Sequence, residues 1–373
     1  MKVLVTGAQG FIGKNLVAWL KQRPGLSVLE FDQDNHPQDL AAMLAEADQV
    51  FHLAGVNRPR DEAEFQTGNV DTTRLVCAEL LRLGRPVPIV LASSIQVVLD
   101  NPYGVSKRQA EEVVRNYVEQ SGAQGTIYRL KNVFGKWCRP NYNSVVATFC
   151  YNTAHDLPVA ISDPGKELEL IYVDDVIAQF AQELERESAP GGLLYREVTP
   201  AYRITLGRLA ELIQSFRQMR QTLYVPDLAV DLTRKLYGTY LAYLEHDDFA
   251  YTLDKKCDPR GCLAEFVKAA AFGQLFVSRT APGVTRGNHY HHTKTEKFLV
   301  VEGEAVIRFR QLSGGEPIEY RVRGEDFRVL DIPPGYTHSI ENVGAGELVT
   351  LFWASEVFDP SHPDTTALPV LAV

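Results

Sequence analysis

The sequence is poor in cysteine, carries no long basic run and has no apolar stretch long enough to cross a bilayer. Each of these absences argues against a class of function. The five cysteines, Cys77, Cys138, Cys150, Cys257 and Cys262, form an odd, scattered set without a C-x-x-C pair. They read as reduced structural thiols, not as a disulfide framework or a thiolate metal site. Lys and Arg number 38 against 47 Asp and Glu, a net charge of −9 that argues against a nucleic-acid surface or an anionic membrane partner. An anionic substrate must then be held by a few local cations and backbone amides. Met1 leads straight into a strand-like run with no signal-peptide architecture, so a cytoplasmic location is expected.

What is present is a chain of 373 residues, long enough for two domains. Over the first part, buried-strand runs at 2–6, 27–31, 49–53, 87–92 and 126–130 alternate with helical patterns at 11–20, 39–47, 70–83 and 103–120. That alternation predicts a doubly wound parallel α/β sheet of the Rossmann class. Residues 145–245 are more mixed and read as a substrate-side lobe with helices near 176–185 and 206–220. From about residue 247 the pattern changes to short strands at 263–268, 273–278, 296–301, 304–309, 318–322, 327–331 and 348–354. Turn residues separate them, as in an all-β sandwich or barrel. The expected domains are therefore 1–246 and 247–373, with the boundary inside 245–257.

Gly7, Gly10 and Gly13 form G-x-x-G-x-x-G between the first strand and the first helix, with Phe11 and Ile12 opening that helix. Glycines at this turn let the backbone approach a pyrophosphate, and the helix N-terminus supplies free amides. Asp32 ends the second strand, where a carboxylate accepts hydrogen bonds from an adenosine ribose and repels a 2′-phosphate, which favours NAD over NADP. Leu53 and Ala54, in His52-Leu-Ala-Gly55, line the other side of the cofactor.

Tyr103 and Lys107 lie four apart on one helix and share a face, and Ser94 ends the preceding strand. Reduction of a ketone needs these types. Tyr103 donates a proton to the developing alkoxide, the Lys107 cation lowers the tyrosine's pKa and holds the nicotinamide ribose, and Ser94 polarises the carbonyl. This region resembles the extended short-chain dehydrogenases that modify nucleotide sugars. By the same resemblance Asn132, Arg139 and Asn141 are candidate substrate contacts, with Trp137 and Tyr142 as walls, and Tyr172-Val-Asp-Asp175 positions the substrate lobe.

In the strand-rich part, Gly283-x5-His289-x-His291-x4-Glu296-x6-Gly303 and Pro333-x-Gly335-x2-His338-x3-Asn342 fit the two cupin motifs. His289 and His291 alternate on one side of a strand, and Glu296 and His338 come from neighbours. Three imidazoles and a carboxylate suit Zn, Fe(II), Mn or Ni. His292 is an extra histidine expected to face away.

The order of these parts resembles one family over essentially the whole chain: the bifunctional capsular-polysaccharide enzymes that make UDP-2-acetamido-2,6-dideoxy-L-talose, on the route to UDP-N-acetyl-L-fucosamine. The segments carrying the resemblance are Thr6–Gly13, Asn101–Lys107, Phe134–Val145 and Gly287–Val301. It implies a Rossmann reductase fused to a jelly-roll cupin. The cupin would epimerise C-3 of a UDP-linked 4-keto-6-deoxy-N-acetylhexosamine, and the Rossmann domain would then reduce the C-4 ketone. It also implies NADPH, Zn2+ in the cupin and a homodimer. Asp32 departs from an NADPH site and keeps NADH in view. Competing readings are a plain reductase with a structural, dimerising cupin, an iron-dependent oxygenase and a nucleotide-sugar sensor.

Overall fold

The computed structural model describes residues 1–185, 191–254, 256–258, 261–263, 267, 273–356 and 361–371. Two compact units divide the chain: Met1–Ser144 with Leu168–Arg203, and Val145–Glu167 with Ile204–Val373.

The first unit is built on strands β1 (Lys2–Thr6), β2 (Ser27–Phe31), β3 (Gln49–His52), β4 (Ile89–Ser94), β5 (Gln124–Leu130) and β8 (Gly192–Arg196). They pair in parallel in the order β2-β1-β3-β4-β5-β8. Side chains alternate along each strand, so each strand feeds two cores. Leu4, Val50, Ile89, Leu91 and Ile127 pack on one face with α2 (Pro37–Glu46), α4 (Thr72–Leu83) and α5 (Pro102–Ser121). Val3, Val5, Phe51, Val90 and Tyr128 pack on the other with α1 (Phe11–Leu20) and α7 (Val173–Gln182). A short helix α3 (Ala63–Phe65) continues through a π-turn, Gln66–Asp71, into α4.

The sheet is the parallel α/β class expected, and its order reverses direction on either side of β1. In open α/β sheets that switch point, beyond the strands' carboxyl ends, is where ligands sit. Strand β6 (Asn132–Phe134) pairs in parallel with β7 (Glu167–Tyr172). The helix expected near 176–185, assigned from sequence to the mixed lobe, is α7 of this unit. Its stripe of Val173, Val176, Ile177 and Phe180 is buried, and Phe180 stacks on Phe51 and meets Tyr128 edge-on.

The second unit holds α6 (Val145–Ala154) and, after β9 (Tyr202–Thr205), α8 (Leu206–Thr222), α9 (Asp231–Leu241) and two five-stranded sheets. One sheet contains β10 (Ala250–Thr252), β13 (Gln274–Thr280), β15 (Glu296–Glu302), β18 (Arg328–Ile332) and β20 (Leu348–Ala354). The other contains β14 (Thr285–Tyr290), β16 (Glu304–Gln311), β17 (Ile318–Arg323), β19 (Tyr336–Asn342) and β21 (Thr366–Ala367). Their pairs are antiparallel, the all-β cupin architecture expected. Between β10 and β13, β11 (Lys256–Asp258) and β12 (Gly261–Leu263) form a small hairpin. The strand expected at 263–268 lies outside the described residues except at 263 and 267.

The grouping cuts across the expected boundary at 246/247, because α8 and α9 belong to the unit that contains the barrel. Charge chemistry explains why. Lys297 and Asp331 are buried in the barrel wall as a direct pair. Arg220 of α8 reaches Asp331 at 3.1 Å and Asp248 at 2.8 Å, completing a network that an isolated buried pair needs. Among the described residues no helix is long and apolar enough to cross a membrane.

Candidate functional site

The glycine turn sits at the switch point. Gly7 has φ +68°, and a Cβ placed on it would lie 2.7 Å from the Ala54 nitrogen and 2.9 Å from the Leu53 carbonyl carbon. A Cβ at Gly13 would meet the Gly7 oxygen at 2.0 Å. Only glycine permits this stacking of β1's turn on the 53–54 backbone and of α1 on the turn. Phe11 and Ile12 begin α1, half-buried. The Asp32 carboxylate accepts hydrogen bonds from the amides of Gln9 and Gln33, both at 2.8 Å, which pins it beside the glycine turn. The cradle that a Cβ would fill, and the carboxylate at its edge, fit the pyrophosphate and ribose of a nicotinamide dinucleotide.

The next turn is held by a buried polar chain that sequence reasoning did not find. His52 Nδ1 meets Thr6 Oγ1 at 2.7 Å, and its Nε2 meets Thr73 Oγ1 at 2.9 Å. Burial, and after it the Lys107 charge, lowers the His52 pKa to about 3, so the ring stays neutral. His52 is therefore a brace and does not line the cofactor groove. Asn69 bonds both backbone groups of Val56, at 2.8 and 3.1 Å, and donates to Ser106 Oγ at 3.0 Å, which ties the loop after β3 to α5. A buried asparagine next to a π-turn has no sequence signature.

Helix α5 starts where expected, with the Asn101 side chain accepting from the Gly104 amide at 2.7 Å and Pro102 in its first turn. That start places Tyr103 and Lys107 one turn apart beneath β4. Ser94 is close enough to the Tyr103 phenol to lower its pKa, while Ser93 is turned away and donates to Glu111 at 2.5 Å. Ser94, Tyr103 and Lys107 are thus brought together, and Ser93 is not among them. Burial raises the Tyr103 pKa more than Ser94 lowers it, so the phenol holds its proton.

Lys107 Nζ donates to the Ala92 carbonyl at 2.9 Å. Burial lowers the pKa of Lys107 to about 8, and Glu111 one turn on opposes that. Glu111 itself is buried and pairs with Arg129 at 2.7 Å. It was missed from sequence, although its spacing from Lys107 was a usable signal.

The expected substrate contacts lie on β6 and the loop that follows it to α6. Asn132 is exposed and its amide donates to the Glu169 carbonyl at 3.0 Å, which fastens β6 to β7. The Arg139 guanidinium lies 5.3 Å from the Tyr142 ring centroid. Trp137 and Asn141 both have positive φ, 68° and 54°, an uncommon conformation for a bulky residue. The loop is anchored by Lys136, only 2% exposed, which pairs with Asp174 at 2.7 Å. That pair is what Tyr172-Val-Asp-Asp175 contributes, a positioning role in this unit.

In the barrel, His289 on β14 and His338 on β19 are direct cross-strand partners. The pairing slips between Gly287 and His289, and at Gly287 (φ +92°) a Cβ would lie 2.9 Å from the His338 oxygen. This close approach brings the two imidazoles to 4.8 Å. His291 follows β14, and Glu296 begins β15 in the opposite sheet, so the four side chains meet between the sheets with ligand atoms within 4.8 Å of one another.

Glu296 Oε2 lies 3.3 Å from His291 Nε2 and 3.5 Å from His338 Nε2, and these buried nitrogens make no hydrogen bond. Burial pushes the Glu296 pKa up, but His291 and His338 outweigh it and hold the carboxyl below its ordinary range. Burial, then the His338 and His291 charges, lowers His289 to about 4. Three imidazoles, an ionised carboxylate and orphaned buried nitrogens are the donor set of a divalent cation. The His292 ring instead packs edge-on against Tyr290 at 5.3 Å.

Residues 3–193 match the NAD dependent epimerase/dehydratase family, and residues 256–366 match the polysaccharide biosynthesis C-terminal domain. The chain is 45% identical over 370 residues to UDP-2-acetamido-2,6-beta-L-arabino-hexul-4-ose reductase of Pseudomonas aeruginosa, covering 99% of each protein. Among solved structures it is similar to the capsular polysaccharide assembling protein CapF of Staphylococcus aureus: 44% identity, TM-score 0.67, and 99% of this chain on 100% of that one. It also resembles UDP-glucuronic acid 4-epimerase of Bacillus cereus in complex with NAD, at 20% identity and TM-score 0.52 over 58% of this chain and 83% of that one. That last likeness is of fold alone.

Proposed function

Because the chain belongs to the NAD dependent epimerase/dehydratase family, with a polysaccharide biosynthesis C-terminal domain behind it, we propose that it is a bifunctional nucleotide-sugar enzyme. It epimerises C-3 of a UDP-2-acetamido-2,6-dideoxy-4-keto-hexose and reduces the C-4 ketone, forming UDP-2-acetamido-2,6-dideoxy-L-talose in the cytoplasm for capsule or O-antigen synthesis. The protein works as a homodimer. The observation that carries the reading is the convergence of Ser94, Tyr103 and Lys107 at the end of β4, two strands along the sheet from the glycine turn. The name of the Pseudomonas aeruginosa relative, a reductase of a UDP-linked hexulose, supports it.

Gly7, Gly10 and Gly13 hold the pyrophosphate, Asp32 the adenosine ribose, and Leu53 and Ala54 the facing side. When bound there, the reduced nicotinamide supplies the hydride. Ser94 donates to the C-4 oxygen and polarises the ketone. Tyr103 gives its proton to the same oxygen as the alkoxide forms, and the Lys107 cation stabilises the resulting phenolate. Asn132, Arg139 and Asn141 contact the UDP moiety. The resemblance implies NADPH; the Asp32 carboxylate beside the glycine turn is the specific feature that favours NADH.

In the barrel, His289, His291, Glu296 and His338 hold the cation, zinc by resemblance, which supplies Lewis acidity or a brace. The C-3 proton, acidified by the C-4 ketone, leaves and returns on the opposite face. A second reading, a reductase with a structural cupin, is favoured by one observation: four protein ligands, His291, Glu296 and His338 of them buried, make the closed kind of set typical of structural metal sites.

The test offers the full chain the 4-keto product of a UDP-N-acetylglucosamine dehydratase in deuterium oxide, with NADPH and NADH in separate tubes. Coenzyme oxidation with deuterium at C-3 is expected. Oxidation without deuterium selects the second reading. No oxidation by folded, metal-loaded protein ends both.

A further inference from the structure

The chain returns to the cation cluster after β20. The Asp364 carboxylate accepts the backbone amides of His292 at 2.8 Å, Thr293 at 2.7 Å and Lys294 at 2.7 Å, and the Thr293 hydroxyl at 2.9 Å. These are successive residues of the turn that separates His291 from Glu296. The Asp364 carbonyl is also bonded to His291 Nδ1. A carbonyl can only accept, so Nδ1 carries the proton and Nε2, the atom facing Glu296, keeps its lone pair.

The residues after Asp364 continue the stitching. Strand β21 sets Ala367 opposite His289 and Thr366 opposite Tyr290. The Leu368 amide donates to the Asn288 carbonyl at 2.8 Å, and its carbonyl accepts from the Thr337 hydroxyl, next to His338. Arg310 donates to the carbonyls of Pro369 and Val370, both at 2.7 Å.

We propose that Asp364 is a positioning residue for the cation site. Its carbonyl fixes the His291 tautomer, its carboxylate fixes the turn between two ligands, and the strand that follows holds β14 and β19 at ligand spacing. The proposal rests on the reading that His289, His291, Glu296 and His338 bind a divalent ion. Partners that orient metal-bound histidines in this way contribute to affinity without touching the metal.

The test uses the full chain, stripped of metal and titrated with zinc against a chromophoric chelator, then loaded with cobalt(II) for its visible spectrum. Asp364→Ala should bind zinc about 10- to 100-fold more weakly and change the cobalt bands. Thr293→Val, which removes one bond to the carboxylate, should show a smaller loss in the same direction and serves if Asp364→Ala does not fold. If the variants bind zinc as tightly as the parent and give its cobalt spectrum, while only the denaturation midpoint of the metal-free form falls, Asp364 is an ordinary staple and the proposal is overturned. If the parent takes up no zinc that His338→Ala loses, the cation reading itself fails, and this inference with it.

Discussion

The reductase centre draws Tyr103 and Lys107 from one helix and Ser94 from the strand just before it, whereas the cation cluster draws its ligands from β14, β15 and β19 across two sheets. In the first, helix periodicity and one N-cap set the geometry, so neighbours in sequence are neighbours in space. In the second, a strand pairing with a bulge, an opposite sheet and a terminal segment must all close together. The contrast teaches that the two centres should fail differently. Local centres lose chemistry when a side chain is cut, while a centre closed by tertiary contacts also loses its ligand geometry when a distant support goes.

Substitutions can break this comparison. The largest effect is expected from Tyr103→Phe: removing the proton donor should slow coenzyme oxidation by about 10²- to 10⁴-fold and leave zinc content unchanged. Parallel loss of zinc would show that the centres are not independent. His338→Ala should do the reverse, abolishing stoichiometric zinc and, if the barrel is catalytic, lowering deuterium uptake at C-3 by about 10²-fold, the several kcal/mol a Lewis acid supplies. Next comes Asp32→Ala. Loss of a charged hydrogen bond to the ribose should shift the ratio of kcat/KM for NADH over NADPH by about tenfold toward NADPH.

The smallest effect concerns pH. Lys107 is charged below its pKa of about 8 and neutral above it, so reduction should fall as pH rises through that value. Glu111 raises that pKa, so Glu111→Gln should move the fall to lower pH, at a cost of less than about tenfold near neutrality. A pH profile unchanged in Glu111→Gln would sever Glu111 from the centre.

Much of both centres is legible in the amino-acid sequence, and what escapes it shares a cause. Gly7, Gly10 and Gly13, Tyr103 with Lys107, and the spaced His289, His291, Glu296 and His338 carry their meaning in short intervals, because strand and helix periods convert spacing into direction. Helix α9 gives no such signal: Leu236, Tyr237, Thr239, Tyr240 and Leu241 are all buried, so it presents no apolar stripe against a polar face. The bond from the Asn132 amide to the Glu169 carbonyl, which fastens β6 to β7, joins residues far apart in the chain. Lys136 looks like a surface lysine until Asp174, far along the chain, is seen to pair with it.

Residue types and short spacings alone pointed to the chemistries proposed for this chain: a dinucleotide turn, a tyrosine placed beside a lysine to donate a proton, and a four-ligand set for a cation. Tertiary structure decided which unit α7, α8 and α9 join, and that Asp364 braces His291. The physical reason is range. Periodicity acts over a few residues, but a buried charge or polar group must find its partner wherever the folded chain delivers one.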